Sequence, residues 1–139
     1  MENEIQLEFD EREIALGDSQ KDIKAREIFI IQLYKCWERE NPDKRIYNES
    51  LKDFIYVNSE GKRETTHHAA RTCLSTLALF HLSDILKNAE FVTFDETKSK
   101  RQKKSFEKMI IMKRNEYKLT VGVTKTENKK IQYCIALIE

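Results

Sequence analysis

The chain has little of what marks disordered, disulfide-rich or membrane-spanning proteins. It contains one proline and three glycines among 139 residues, too few for a long linker or a low-complexity segment. Its three cysteines, Cys36, Cys73 and Cys134, are odd in number and widely spaced, which argues against a disulfide framework or a zinc site. No apolar run is long enough to span a membrane. The acidic N-terminus does not resemble a secretory signal, so we expect a protein of the reducing cytoplasm.

The length and composition of the chain suit one small domain with a densely charged surface. Hydrophobic residues make up 40% of the chain and charged residues 35%, with a net charge of +1. We divide the chain into an acidic N-terminal arm, residues 1–16, and a single α+β domain, residues 17–139. The arm carries six acidic side chains and one arginine. Its alternating Ile5, Leu7 and Phe9 leave a short strand, an ordered tail and a solvated terminus all open.

Apolar residues recur at helical spacing through much of the first half. Asp18 or Ser19 can cap a helix that Asn41-Pro42 ends, because a proline restricts the residue before it. Between residues 43 and 64 the pattern fits either a short helix or a strand, and residues 58–62 are typical of a turn. A second long helix is predicted to begin at Thr65 or Thr66, with its apolar stripe reaching Leu82.

From residue 91 onward the periodicity changes from helical to alternating. It predicts strands near residues 91–94, 106–112, 117–124 and 131–138, separated by short turns that require antiparallel pairing. The predicted fold class is therefore α+β, with N-terminal helices packed on a C-terminal four-stranded antiparallel sheet.

The strongest electrostatic feature is a basic segment in this nearly neutral chain. Residues 98–113 contain seven bases against Glu107 alone: Lys98, Lys100, Arg101, Lys103, Lys104, Lys108 and Lys113. Such a segment beside a sheet can collect the phosphates of a nucleic acid. The alternative is a solvated loop that keeps an apolar hairpin soluble.

Two histidines and an arginine are the first candidates for chemistry. His67 and Arg71 lie four residues apart, on one face of a helix that begins at Thr66, and His68 adjoins them. Imidazole exchanges protons near neutral pH, and arginine binds phosphate with two parallel hydrogen bonds. The alternative is an ordinary pair of surface histidines. No third ligand lies at local spacing, which disfavours a metal site, and we expect His81 to be a partly buried packing residue.

The predicted third strand of the sheet adds an ammonium and a hydroxyl. Lys118 and Thr120 are two residues apart and point to the same side of a strand, where they can bind a phosphate and its developing charge. An ordinary solvent-facing strand explains them equally well. On the next strand, Tyr133 can stack a base or pack in the core.

The segments Ala70–Leu74 and Leu82–Val92, the lysine-rich loop, Met109–Met112, Tyr117–Val121 and the strand with Tyr133 resemble a known group of domains. These are the small domains of phage polyvalent proteins and polymorphic toxins, of the barnase–EndoU–colicin–RelE-like ribonuclease fold. The resemblance covers roughly residues 65–139. It implies a helical N-terminal part, a four-stranded antiparallel sheet and metal-independent RNA cleavage. The residues in matching places are His67 or His68, Arg71, Lys118 and Thr120.

The sequence thus leads to one catalytic and one non-catalytic hypothesis. In the first, a cofactor-free endoribonuclease uses His67 or His68 as acid and base, with Arg71, Lys118 and Thr120 at the phosphate. Further RNA contacts come from Lys98, Lys100, Arg101, Lys103, Lys104, Lys113 and Tyr133. The acidic arm masks the basic surface, an inhibitory protein is a second partner, and no membrane is involved. In the second, a phage- or mobile-element-derived module binds nucleic acid or a host protein. The oligomeric state is left open.

Overall fold

A computed structural model describes residues 14–95 and 100–138. Most of the predicted arm and Lys98 lie outside these ranges, as do the side chains of Lys100, Arg101 and Lys103. The elements, in chain order, are α1 (Gln20–Glu40), β1 (Arg45–Asn48), β2 (Asp53–Tyr56), α2 (Ser59–Ala69), α3 (Cys73–Leu77), a 3₁₀ turn (Ala78–His81), α4 (Leu82–Asn88), β3 (Glu90–Asp95), α5 (Lys100–Ser105), β4 (Phe106–Arg114), β5 (Tyr117–Thr124) and β6 (Lys130–Leu137).

The α+β class is confirmed, but the sheet is larger than predicted. It has six strands in the order β1-β2-β6-β5-β4-β3. The antiparallel array β3–β6 is the predicted part. The prediction of four antiparallel strands is wrong because residues 45–56 form a hairpin that joins the sheet. Strand β2 runs parallel to β6, pairing Ile55 with Lys130 and Tyr56 with Ile131, so the sheet is mixed.

Helix α1 follows the sequence prediction closely. Ser19 caps it by accepting a hydrogen bond from the Asp22 amide at 3.1 Å, and Asn41 ends it. Ile30, Leu33 and Trp37 on its inner face are fully buried, which removes their apolar surface from water. No helix in the described parts of the chain is both long and apolar enough to cross a bilayer.

The second helix begins earlier than predicted and is much shorter. Asn58 caps α2 by accepting from the Gly61 amide at 2.9 Å, so residues 58–62 start a helix rather than form a turn. The predicted long helix is broken after Ala69. Thr72 caps α3 by accepting from the Ser75 amide at 3.1 Å. The threonine hydroxyl thereby satisfies an amide in the first turn of the new helix, which has no carbonyl partner within that helix.

The two faces of the sheet bury different clusters. Helices α1 and α4 and the 3₁₀ turn cover one face, where Met112, Leu119 and Val121 join the main core. We call the other side the second face. It has a smaller cluster of Phe106, Met109, Ile131 and Tyr133. Because side chains alternate along a strand, Lys118 and Thr120 belong to this second face.

Helix α2 lies against one edge of β6, just beyond the point where β2 leaves it. Thr65 donates from Oγ1 to the Tyr133 carbonyl at 3.3 Å, and Gln132 donates to the Thr65 hydroxyl. The buried Tyr34 hydroxyl of α1 donates to Gln132 Oε1 at 2.9 Å. This network of buried, satisfied polar groups fixes α2 in place, and α2 thereby carries its side chains to the border of the second face.

The β1–β2 turn reaches the start of β3 at the far edge of the sheet. Asn48 is buried and donates from Nδ2 to the carbonyls of Leu86 at 2.9 Å and Ala89 at 3.0 Å. The Phe91 amide donates to Ser50 Oγ at 2.9 Å. These bonds satisfy the carbonyls at the end of α4 and hold the two ends of the curved sheet together.

Candidate functional site

The two neighbouring histidines of α2 have different partners. His67 is exposed, and its Nε2 lies 3.0 Å from Nη2 of Arg71, as the four-residue spacing predicts. An arginine always donates, so His67 must accept through Nε2. This contact therefore requires a neutral imidazole with its proton on Nδ1. In this arrangement, Nε2 of His67 is already occupied.

His68 pairs with a carboxylate instead. Its Nε2 is 3.0 Å from Oε2 of Glu64, one helical turn earlier. When His68 donates from Nε2, Nδ1 is the ring nitrogen that can accept a proton, and the carboxylate stabilises the imidazolium that results. The rings of His67 and His68 meet edge to face, with centroids 5.4 Å apart. Sequence reasoning missed Glu64 because it started the helix at Thr65 or Thr66, which left this residue in a loop.

Cys134 connects the helix to the sheet. It lies on β6 opposite Thr120 of β5. Burial and, to a smaller extent, the Glu64 carboxylate raise the pKa of the Cys134 thiol, the Lys118 ammonium lowers it, and the net result is a pKa of about 11. Thr65, the neighbour of Glu64, donates to the carbonyl of Tyr133, the neighbour of Cys134, and Lys118 is two residues from Thr120, the partner of Cys134. Helix α2 and strand β5 thus lie on the two sides of β6 at Cys134, which we call the border at Cys134, and Cys134 itself stays a protonated, weakly nucleophilic thiol.

Two lysines form a cross-strand pair on the second face. Lys113 of β4 is the direct partner of Lys118 of β5, and both side chains are exposed. Like charges placed opposite each other in a sheet are destabilising, and an anion between them would relieve that repulsion. Thr120 follows on the same side, but only 7% of it is exposed.

The remaining residues that the sequence singled out differ in whether the structure describes them and in how exposed they are. Lys104 is exposed at the end of α5, whereas Lys98 and the side chains of Lys100, Arg101 and Lys103 lie outside the described residues. Tyr133 is 4% exposed, and its ring meets that of Phe106 at 5.6 Å and 85°, so it packs in the core and is not accessible for stacking a base. His81 stacks on Tyr117 at 6.1 Å.

A buried arginine that sequence reasoning missed positions the end of α2. Arg26 of α1 is 0% exposed. It donates to the carbonyls of Ala70 at 2.7 Å, Ala15 at 2.6 Å and Arg71 at 3.2 Å. The signal was its helical spacing with Phe29, Ile30 and Leu33, which places it on the buried stripe. Its bond to the Arg71 carbonyl holds the backbone from which the Arg71 side chain reaches His67.

A groove between α1 and α2 opens beside His67. Its volume is about 480 Å³, and Glu27, Ile31 and Thr66 contribute to its walls. Within the described residues, no group of three or more His, Cys, Asp or Glu side chains is placed to hold a metal ion. Comparison with protein-family models, with curated proteins and with solved structures finds no match.

Proposed function

We propose that this protein is a metal-independent endoribonuclease. The observation that carries the proposal is the border at Cys134, where α2, with its Glu64–His68 pair, packs on one side of β6 and the strand that carries Lys118 pairs on the other. Cleavage of RNA without a metal needs a group that moves a proton and a cation that stabilises the phosphorane. The two candidate groups, His68 and Lys118, come from different elements, α2 and β5, which lie on the two sides of β6.

Each residue has a defined role in the proposed reaction. His68 takes the proton of the ribose 2′-hydroxyl through Nδ1 while the 2′-oxygen attacks phosphorus and the bond from phosphorus to the 5′-oxygen breaks. The imidazolium then gives that proton to the departing 5′-oxygen. The products are a 2′,3′-cyclic phosphate and a 5′-hydroxyl. Glu64 orients the imidazole and stabilises its protonated form. Lys118 and Lys113 stabilise the charged phosphorane.

The hydrogen bonds of His67 and His68 indicate different roles for the two histidines. Nε2 of His67 accepts from Arg71, so this imidazole would have to leave its partner before that nitrogen could act as a base. His68 has the carboxylate arrangement that supports proton transfer. We therefore assign the acid–base role to His68 and a phosphate-binding role to Arg71, which His67 orients.

A cleavage assay with matched variants tests the proposal. A single-stranded RNA is incubated with the protein in EDTA, and cyclic phosphate ends are quantified. We expect His68→Ala to lower the rate by about 10²–10⁴-fold and Lys118→Ala by about 10²-fold. Lys125→Ala, an exposed lysine in the β5–β6 turn, is the charge-matched control. Equal rates for wild type, His68→Ala and Lys118→Ala would refute the assignment.

A non-catalytic nucleic-acid-binding module is the second candidate. The exposed Lys113–Lys118 pair favours it, because binding a phosphate needs only these charges and not the largely covered Thr120. Binding without turnover would support this candidate. Its affinity should fall steeply with salt, and each removed phosphate contact should reduce the salt slope by about 1.

A further inference from the structure

The groove between α1 and α2 exposes apolar side chains of α1 to solvent. Its volume is about 480 Å³, and Ile31 and Thr66 contribute to its walls. Ile31 is 46% exposed, and Ile28, three residues earlier on the same helix, is 54% exposed. Exposed aliphatic side chains beside a concave site are typical of a binding surface. The groove therefore offers apolar contacts to a bound segment.

Cations outnumber carboxylates around this groove. Among the described residues, its lining contains two acidic and three cationic side chains: Glu27, Glu38, Lys35, Lys62 and Arg63. Two further cations border it, because Arg71 bonds to His67 of the lining and Lys24 lies about one helical turn before Glu27 on α1. With the neutral His67 that the contact with Arg71 requires, five cations and two carboxylates give this region a net charge of +3.

The sequence of the acidic arm has the complementary pattern. Residues 1–13, which lie outside the described ranges, contain six acidic side chains and one arginine, a net charge of −5. Ile5, Leu7 and Phe9 alternate with polar residues, so in an extended conformation they would project to one side and the carboxylates of Glu4 and Glu8 to the other. An acidic segment with apolar anchors matches both the net charge of the groove and its exposed isoleucines.

The arm joins the rest of the chain near one end of the groove. Ile14 is 4% exposed, and the carbonyl of Ala15 accepts a hydrogen bond from Nη1 of Arg26 at 2.6 Å. Arg26 is adjacent in sequence to Glu27, from which the groove follows α1 to Glu38, a length of about 17 Å at the helical rise per residue. Thirteen extended residues span about 40 Å, which is enough to reach the groove and to follow it over this length.

We propose that the acidic arm binds in the groove between α1 and α2 of its own chain, with its apolar side chains against Ile31 and its carboxylates at the surrounding cations. Covalent attachment favours this occupant, because a tethered segment has an effective concentration of about a millimolar or more. A second copy would bring two surfaces of charge +3 together, and like charges across an interface are repulsive. RNA would engage the cations but has no aliphatic side chain for the exposed isoleucines. The contact does not depend on the proposed ribonuclease activity.

The test uses the full chain with Phe9→p-benzoylphenylalanine, a photoreactive residue whose crosslinks are mapped by mass spectrometry. We expect crosslinks to Ile31 and its neighbours in the groove, with a yield that falls as salt screens the charges. Lys35→Glu/Arg63→Glu should lower this yield about tenfold, because two exposed cations that attract the arm then repel it. Lys125→Glu/Lys129→Glu, two exposed lysines of the β5–β6 turn, is the charge-matched control and should leave the yield unchanged.

A charge exchange separates this contact from a general effect on folding. Adding Glu4→Lys/Glu8→Lys to the Lys35→Glu/Arg63→Glu variant should restore the crosslinks, which a damaged fold could not do. The proposal is overturned if rescue fails, or if the crosslinks map outside the groove or are equally strong in the Lys35→Glu/Arg63→Glu variant. Crosslinks between isotope-labelled and unlabelled chains would identify a second copy as the occupant instead.

The remaining alternative occupant, RNA, is tested with a fluorescent single-stranded decamer on the same variants. If the arm forms no groove crosslinks, and the decamer binds the wild type but not Lys35→Glu/Arg63→Glu, the groove takes RNA and the proposal is overturned. None of these results decides the cleavage reaction assigned to His68, which has its own assay.

Discussion

Replacing Gly61 by alanine tests the contact that positions α2 beside the sheet. A Cβ atom at this position would lie 1.8 Å from the carbonyl oxygen of Gln132 and 3.0 Å from its carbonyl carbon. Both atoms belong to the backbone of β6, so no side-chain rotation can relieve the clash. The helix or the strand must move by more than 1 Å to reach an ordinary contact, which is about 3.4 Å or more.

The expected cost follows from three competing effects. Forcing extra volume into a close-packed contact costs about 1–3 kcal/mol. The shift also weakens the hydrogen bonds of Gln132 with Thr65 and Tyr34, each worth about 1 kcal/mol. Against this, alanine gains up to about 1 kcal/mol of helix propensity over glycine. We therefore expect Gly61→Ala to lower the free energy of unfolding by about 2 kcal/mol, although an exposed helical glycine would give the opposite sign.

Urea unfolding followed by far-ultraviolet circular dichroism measures this difference directly. Gly17→Ala is the matched control, because the added Cβ there meets only the end of the Asp22 side chain, which can rotate away. We expect the control to lie within about 0.5 kcal/mol of the wild type. If Gly61→Ala is as stable as Gly17→Ala or more so, the close approach of α2 to β6 is wrong, and so is the placement of His68 derived from it.

Three further predictions concern buried or paired groups. Arg26→Met should cost about 3 kcal/mol in urea unfolding, because it leaves the buried carbonyl of Ala70 and the partly buried carbonyl of Ala15 without their donor. Arg114 donates two hydrogen bonds to Asp84 and holds the pKa of that carboxyl below its ordinary 3.8. The resulting stabilisation is complete above the unfolded pKa and is lost as pH falls through the lower folded pKa, so Asp84→Asn should weaken the acid dependence of stability. Cys134, with a pKa of about 11 against an ordinary 9.0, should react with iodoacetamide at pH 8 roughly a hundredfold more slowly than an unperturbed thiol; rapid labelling of the native protein would contradict its burial.

Local signals predicted the elements that depend on local chemistry. The Ser19 cap and the Asn41-Pro42 stop bound α1, the clean alternation of residues 117–124 identified β5, and a segment that is apolar on much of both faces identified β4. The turn near Asn115 was also readable, because asparagine tolerates the positive φ of 54° that it adopts there. These features arise from neighbouring residues and need no knowledge of tertiary contacts.

The missed elements depend on distant partners. Gly61 suggested a turn, yet it is in the first turn of α2 because only glycine permits the approach to Gln132. Strand β2 is four residues long and pairs in parallel with a strand more than seventy residues later, which no local pattern encodes. Among the site residues, the His67–Arg71 contact followed from spacing alone. Glu64 did not, because its pairing with His68 depends on where the helix begins.

Strand β6 has two unlike neighbours along one edge, a strand at Lys130 and Ile131 and a helix at Gln132 and Tyr133. A helix can detach by local opening without unfolding the sheet. Such an opening would uncover a row of unpaired main-chain groups in the middle of the sheet, available to any incoming extended segment. The same displacement would carry Glu64 and His68 away from Lys118. One helix, α2, therefore protects the sheet against invasion by another strand and also keeps the proposed catalytic border together.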